Sequence, residues 1–403
     1  MSKKSIKWIS HLNENTQKGY LTSINKYEAF HGMTIDELVA EALEEQTQQV
    51  PPHLLKIIDR IEDFQDYLIQ QDLCRSTINL QVGKIKKIYT KNRVVLPYLN
   101  GLRATDGKKR EYIEYSDILT HDEIKRAMLE MNPTVKARTL VMAQGGLSNE
   151  ECEHLTLTSF IQELARYHRC TNIVDALEWL ADENNPVIWV TKLIRQKTHK
   201  PYYAIIGAEA VNSIARAKLY EMGLKKNKGI IPEKLLSSNK RSFHDTLVRI
   251  NDRLNFGRVA EERKLRPHML RKFHATNIGG SALTYEENSI VTNAEIDEMQ
   301  GRGKTNVQDT YIKTNPLRQK LIYAKVMNNV SFYHEYHYQI VDDDVVLSLT
   351  DMTKEKAKLE NQVRNLERQL ENRKKAGERV EQIRKELGND TFNELIAEIL
   401  NSP

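Results

Sequence analysis

The sequence predicts a mainly α fold with a small antiparallel β-sheet (an α+β class), organised as two globular parts and a C-terminal helical extension. Three observations predict it. Apolar residues recur at helical spacing along most of the chain, often behind capping-box signals. Two short β-type runs, Val187 to Val190 and Tyr202 to Ile206, flank a basic tip. From Met352 to Leu387 the apolar spacing shifts to that of a heptad. The length of 403 residues exceeds one typical domain.

The first hundred residues read as helices. Thr16 to Phe30 places Tyr20, Leu21, Ile24, Tyr27 and Phe30 near a 3.6-residue period. Thr34-Ile-Asp-Glu37 is a capping box, and its helix runs through Ala40 and Leu43. Leu54 to Ile69 is a third helix. Ser76 to Tyr89 is a fourth, with Ile78, Val82, Ile85 and Ile88 or Tyr89 on one face and Lys84, Lys87 and Lys91 on the other. A solvated face and a DNA-backbone contact both account for those lysines. Residues 100–115 hold two glycines and the cluster Lys108-Lys109-Arg110, the composition of a linker.

A second capping box, Thr120-His-Asp-Glu123, opens the next part. Lys136 to Gln144 is an apolar helix ending at Gly145-Gly146. Ser148 is placed to cap the next helix, with Glu150 and Glu151 in its first turn. TKLIRQKTHKP forms the basic tip between the two β-runs. Residues 208–220 and 241–256 read as helices. A basic stretch ends at Pro267-His268, and a helix runs on from Met269. Another begins at Glu295 and breaks at Gly301-Arg302-Gly303, and 306–328 reads as helical around Tyr311. In the last segment Met352, Leu359, Leu366, Val380 and Leu387 fall on heptad position d and Val363 and Leu370 on a, with Lys356 and Gly377 interrupting. A coiled coil and a lone amphipathic helix folding back both fit it. Residues 391–400 read as a final short helix.

Composition narrows the class. The net charge of +5 is a weak pointer to nucleic acid; its placement says more. Cys74, Cys152 and Cys170 lie far apart without metal-ligand spacing, as reduced thiols do. No apolar signal core opens the sequence and no run approaches a membrane span, so a soluble, cytoplasmic protein is expected.

The chain thus offers a basic hairpin, a Pro-His-x-x-Arg helix start and a tyrosine after a glycine break. These are the groups that metal-free DNA strand transfer needs: fixed guanidinium and imidazolium donors for a phosphate whose charge grows in the transition state, a nucleophile in line, and a proton for the leaving 5′-oxygen. Each alone is weak; Tyr311 is one of 17 tyrosines. Their order is specific. Pro267-His268-Met-Leu-Arg271-Lys-Phe-His274-Ala275-Thr276, then Gly301-Arg302 at the family's spacing before Tyr311, resemble the tyrosine recombinase (phage integrase) family. Lys197 occupies the place of that family's hairpin lysine, and TQKGYLTSINKYEAFHG and STINLQVGKIKKIY resemble its helical core-binding domain. The resemblance spans about residues 10–325, with details most similar to integrases of archaeal viruses and proviruses.

That resemblance implies a SAM-like core-binding domain over 1–100, a linker over 101–115, a catalytic domain over 116–345 and an extension over 350–403. The two domains would clamp duplex DNA from opposite faces, and recombination of two duplexes would use a homotetramer on DNA, leaving room for an accessory directionality factor. No metal or cofactor is implied. Tyr311 would form a 3′-phosphotyrosyl bond, Arg271 would hold non-bridging oxygens, and His268 would assist proton transfer or phosphate binding. Lys197 would protonate the 5′-oxygen, although Lys192, Arg195 and Lys200 lie close enough to compete for that assignment. Arg195 and Lys200 would also contact DNA. His274 would support the site or simply pack.

Two positions depart from the family. Its first box, Gly-Leu-Arg-x-x-Glu, stands here as Gly146-Leu147-Ser148-Asn149-Glu150-Glu151. Ser148 replaces the first arginine, and none lies between Arg138 and Arg166. Loss of one preorganised donor typically costs about 100- to 1000-fold in rate. Arg302 stands where histidine or tryptophan is usual and still donates to phosphate, with Lys304 a further candidate. Three readings are open: an active site-specific recombinase joining viral and host attachment sites, a degenerate recombinase that binds and synapses DNA with little cleavage, or a chance motif in an unrelated helical scaffold.

Overall fold

The computed structural model describes residues 4–97, 99, 108, 112–196, 198–224, 229–280, 291–302, 315–341 and 344–350, with isolated positions 379, 382, 385 and 386. The chain divides into two compact units, Met1–Tyr112 and Ile113–Pro403. The heptad segment, the final helix, Tyr311, Lys197, Lys109, Arg110 and Lys304 lie outside the described residues.

The first unit is helical. Helices α1 (Glu14–His31), α2 (Ile35–Thr47), α3 (Lys56–Gln70) and α4 (Arg75–Lys91) follow the predicted order. The Thr34–Glu37 box forms as the sequence predicts, each side chain meeting the other's backbone N–H. The helices turn their apolar stripes onto a core of Ile24, Tyr27, Leu38, Phe64, Ile78, Ile85 and Tyr89, each 1% exposed or less. Tyr27 is the hub: its ring meets Phe64 edge-on at 5.0 Å, and its hydroxyl shares a 3.1 Å hydrogen bond with Tyr89.

The second unit is built around α6 (Pro133–Gly145). Asn132 caps it, Pro133 suits its first turn, and Gly146 ends it in the left-handed region at φ 63°. From Val135 to Gly145 all but Lys136 are buried, because the helix packs against α9 (Ala208–Met222), α11 (Pro267–Gly280) and strand β2. Strands β1 (Trp189–Ile194) and β2 (Pro201–Ile206) pair antiparallel from Trp189↔Ile206 to Ile194↔Pro201. The basic tip therefore closes a hairpin, as expected.

Among the described residues, mainly α structure with small antiparallel sheets holds. There are three separate two-stranded pairs where the sequence predicts one. The second is β3 (Arg258–Val259) with β4 (Glu262–Arg263); the third is β5 (Tyr336–Val341) with β6 (Asp344–Leu349). Helices α7 (Leu157–His168) and α8 (Ile173–Ala181) also lie outside the sequence-based expectation. The remaining helices are α5 (His121–Leu129), α10 (Lys240–Arg253), α12 (Asn293–Met299) and α13 (Pro316–Val326). Of the helix expected over 306–328, the described part is α13. No described helix is long and apolar enough to cross a membrane.

The segment after α13 is held by one carboxylate. Glu209, buried in the first turn of α9, accepts the backbone N–H groups of Phe332 (2.8 Å), Tyr333 (2.6 Å) and His334 (2.9 Å) and the Gln144 amide (2.9 Å). Truncation orphans these buried donors, each costing roughly 1–3 kcal/mol. Glu209→Ala is therefore expected to lower unfolding stability by about 3 kcal/mol or more in urea titrations, with Glu209→Gln losing less; an unchanged midpoint in both would show the clamp to be idle.

Candidate functional site

The site is assembled where α11, the loop after α6, the β1–β2 hairpin and the end of α12 meet. Pro267 opens α11, its fixed φ suited to a first helical residue. His268, Arg271 and His274 then come at three-residue intervals, so they project along neighbouring strips of the helix.

Arg271 is 6% exposed and held twice. Its Nη1 donates to Glu151 Oε2 at 3.0 Å, and Nη2 donates to the Gln300 carbonyl at 2.5 Å. Burial pushes its pKa down and the Glu151 carboxylate opposes that; an arginine stays charged regardless. Glu151 Oε2 also accepts the Ser148 N–H at 2.7 Å, while Ser148 Oγ accepts the Glu151 N–H at 3.2 Å. The predicted cap thus forms, on a single 3₁₀ turn (Glu151–His154) rather than an α-helix. One carboxylate oxygen joins position 148 to Arg271. Arg138, fully buried, steadies this loop by donating to the carbonyls of Asn149 and Ser238 and to Glu153.

His274 is fully enclosed. Its Nδ1 lies 2.9 Å from Gln300 Nε2, an amide donor, so the ring proton is assigned to Nε2. A Cβ on Gly146 would come within 2.5 Å of this imidazole. Glycine is therefore required there both for the turn and for the close approach. Burial, with Arg271 and Arg302 nearby, pushes the His274 pKa down to about 3. His274 is thus a packed, neutral residue.

Half-buried His268 is also lowered, by burial first and then by Lys272, Arg266, Arg271 and Arg302. This corrects one expectation: near neutral pH it is an imidazole, not an imidazolium, because so many cations surround it. It can accept a proton or donate one N–H.

From the hairpin, Arg195 Nη1 donates to the carbonyls of Gly301 and, at 3.3 Å, Gln300. Gln300 thus receives guanidinium groups from both Arg195 and Arg271. Gly301 has φ 61°, and a Cβ there would meet the Tyr202 ring at 2.7 Å. Burial, then the Glu151 carboxylate, pushes the Tyr202 pKa up. Arg302 is more exposed and pairs with Asp297 at 3.4 Å.

The other predicted contacts are dispersed. Lys192 is exposed on β1; Lys200 is half-buried at the hairpin base, its carbonyl accepting the Arg195 N–H. In the first unit Lys87 and Lys91 are exposed. Lys84 and Lys91 lie over the rings of Tyr20 and Trp8, each at 5.9 Å. Lys108 sits 4.0 Å from Asp72.

No protein-family model and no curated protein matches the chain. Solved structures do. One is the XerA recombinase, at 14% identity and TM-score 0.32, covering 79% of this chain and 95% of that one. Another is the XerH site-specific recombinase bound to its difH substrate in a pre-cleavage complex, at 15% identity and TM-score 0.37, covering 64% and 68%. At that overlap the reading of the site rests on its own residues.

Sequence reasoning does not single out Gln300 or Tyr202, and it marks Glu151 only as a first-turn acid. Glu151 is legible, since it fills the glutamate of the first box. Gln300 and Tyr202 carry no signal beyond adjacency to Gly301 and the hairpin.

Two outcomes are expected. Glu151→Ala leaves Arg271 buried without its counter-charge and should destabilise folding by about 3–5 kcal/mol, measured by chemical denaturation. For His274 the folded pKa of about 3 lies below the unfolded 6.5. Its contribution to stability is complete above 6.5 and is lost as pH falls toward about 3, while the unfolded chain alone binds the proton. His274→Gln should flatten the stability–pH curve in that window by about one proton; an unaltered slope would contradict the assignment.

Proposed function

We propose that this chain is a tyrosine-type, site-specific DNA recombinase, cutting and rejoining strands through a 3′-phosphotyrosyl intermediate, in viral or proviral integration and excision. The observation that supports it most is the convergence of Arg271, Arg195, Arg302 and neutral His268, a cationic cluster in which Arg271 is preset by a buried carboxylate. Such a cluster fits a phosphodiester and needs neither metal nor ATP.

In the proposed step, Tyr311 Oη forms a bond to the scissile phosphorus and the bond from phosphorus to the 5′-oxygen breaks. The phenol proton passes to the His268 imidazole. Lys197 gives a proton to the 5′-oxygen, with Lys192 and Lys200 as alternatives. Arg271 and Arg302 hold the non-bridging oxygens. Rejoining reverses these transfers. We assign Met1–Tyr112 to DNA binding, with Lys84, Lys87, Lys91, Lys108, Lys109 and Arg110 contacting the backbone, and the remainder to catalysis, acting as a tetramer on two duplexes.

Ser148 favours a second reading, in which the chain binds and synapses DNA but cuts it poorly. The test uses duplexes recovered by the full chain from a randomised pool, each nicked at successive positions so that cleavage traps the protein on DNA. The expected result is a covalent adduct from wild type and none from Tyr311→Phe. An adduct from Tyr311→Phe would reassign the nucleophile. An adduct only after Ser148→Arg would establish the second reading. Binding should weaken steeply with salt; no binding at low salt would overturn both.

A further inference from the structure

We propose that Arg195, on the β1–β2 hairpin, supplies the phosphate-facing guanidinium that position 148 lacks. This rests on the recombinase reading of the site and names a residue for it.

Position 148 lies beside Arg271, because the Ser148 N–H and Arg271 Nη1 meet the same oxygen of Glu151, at 2.7 and 3.0 Å. An arginine at 148 would therefore have brought a second guanidinium next to the first. Ser148 brings none: its hydroxyl is engaged with the Glu151 N–H.

Arg195 reaches that neighbourhood from another element. It shares the Gln300 carbonyl with Arg271, so the two guanidinium groups meet at one oxygen. Its backbone N–H donates to Lys200 O at 2.9 Å, and its carbonyl accepts from His199 at 2.7 Å, which fixes the residue at the hairpin's closing turn. Its side chain is anchored through Nη1 alone. The Nε and Nη2 donors have no partner among the described residues, and no described carboxylate pairs with it. Arg271 has Glu151 and Arg302 has Asp297. Among the described residues, the uncompensated cation of the cluster is Arg195, and an anion with two or more oxygens is the ligand that its remaining planar donors fit.

The role is electrostatic. While Tyr311 Oη bonds to phosphorus and the 5′-oxygen departs with a proton from Lys197, Arg195 donates hydrogen bonds to a non-bridging oxygen and exchanges no proton. Its anchoring to rigid backbone gives the preorganisation that such stabilisation requires.

The experiment compares adduct formation on nicked duplexes by the full chain and its variants, with melting temperature checked for each. Arg195→Ala is expected to slow the adduct by about 100- to 1000-fold, and Arg195→Lys, which keeps the charge without the fork, by less. Two readouts separate this role from mere bracing of the 300–301 turn. Adding Ser148→Arg to Arg195→Ala should recover at least about tenfold. A methylphosphonate at the cleaved position, which removes the growing charge, should shrink the gap between wild type and Arg195→Ala to under about tenfold. A folded Arg195→Ala within about threefold of wild type overturns the proposal. So does a defect that neither Ser148→Arg nor methylphosphonate relieves. No adduct from wild type on any duplex would overturn the recombinase reading, and this inference with it.

Discussion

The buried ion pair between Glu151 and Arg271 is the constraint on which the site depends. Both side chains are nearly inaccessible, at 3% and 7%, so each charge has surrendered its hydration and needs the other. Such a pair contributes little net stability, but breaking it is expensive. Its value here is geometric. Arg271 cannot rotate without abandoning either Glu151 or the Gln300 carbonyl, and Glu151 cannot move without releasing the Ser148 N–H. The loop after α6, the middle of α11 and the end of α12 are therefore fixed relative to one another by one carboxylate and one guanidinium.

From that constraint the electrostatics follow. The ion pair consumes the buried carboxylate at the cluster, leaving Arg195 uncompensated among the described residues and Arg302 paired at an exposed position. The residual positive field adds to burial in depressing His268 and, more strongly, His274. Two histidines of one helix thus part ways by depth. His274, enclosed against Gly146 and Gln300, is kept neutral and serves as packing. His268, half-buried at the start of α11, remains able to exchange a proton. Close packing also explains why the two glycines that border the site are irreplaceable: Gly146 and Gly301 each combine a positive φ with an aromatic or imidazole ring where a Cβ would stand.

The part of the fold legible in the sequence is local. The Thr34–Glu37 and Thr120–Glu123 boxes, the Gly146 stop and the basic hairpin depend on residues within a few positions of each other, so their chemistry is written contiguously. The Thr292–Glu295 box is equally contiguous, yet the apolar pattern alone starts α12 late, at Glu295. β5 and β6 read less clearly: exposed Ile340, Val341 and Val346 blur the alternation that marks a half-buried strand. The site is half legible. Arg271 and His268 stand in a recognisable motif, whereas the Arg195–Gly301 bond joins positions 106 apart and Glu209 reaches its backbone donors across 123 or more. No spacing rule encodes such contacts; only the packed unit brings them together.

That separation bears on how a motif position can be lost. A phosphate in a strand-transfer reaction responds to the position and charge of its donors, not to the segment that delivers them. The loop after α6 and the closing turn of the β1–β2 hairpin both border Gln300 and Arg271, so a guanidinium delivered from either can face the same oxygens. The hairpin is the stiffer support, since its strands are paired along their full length from Trp189 to Ile194. Ser148, relieved of a long side chain, closes the reciprocal cap with Glu151 and so tightens the carboxylate that orients Arg271. In this arrangement the serine improves the placement of one arginine while the hairpin supplies the other, and the departure from the family pattern is compatible with a working phosphate site.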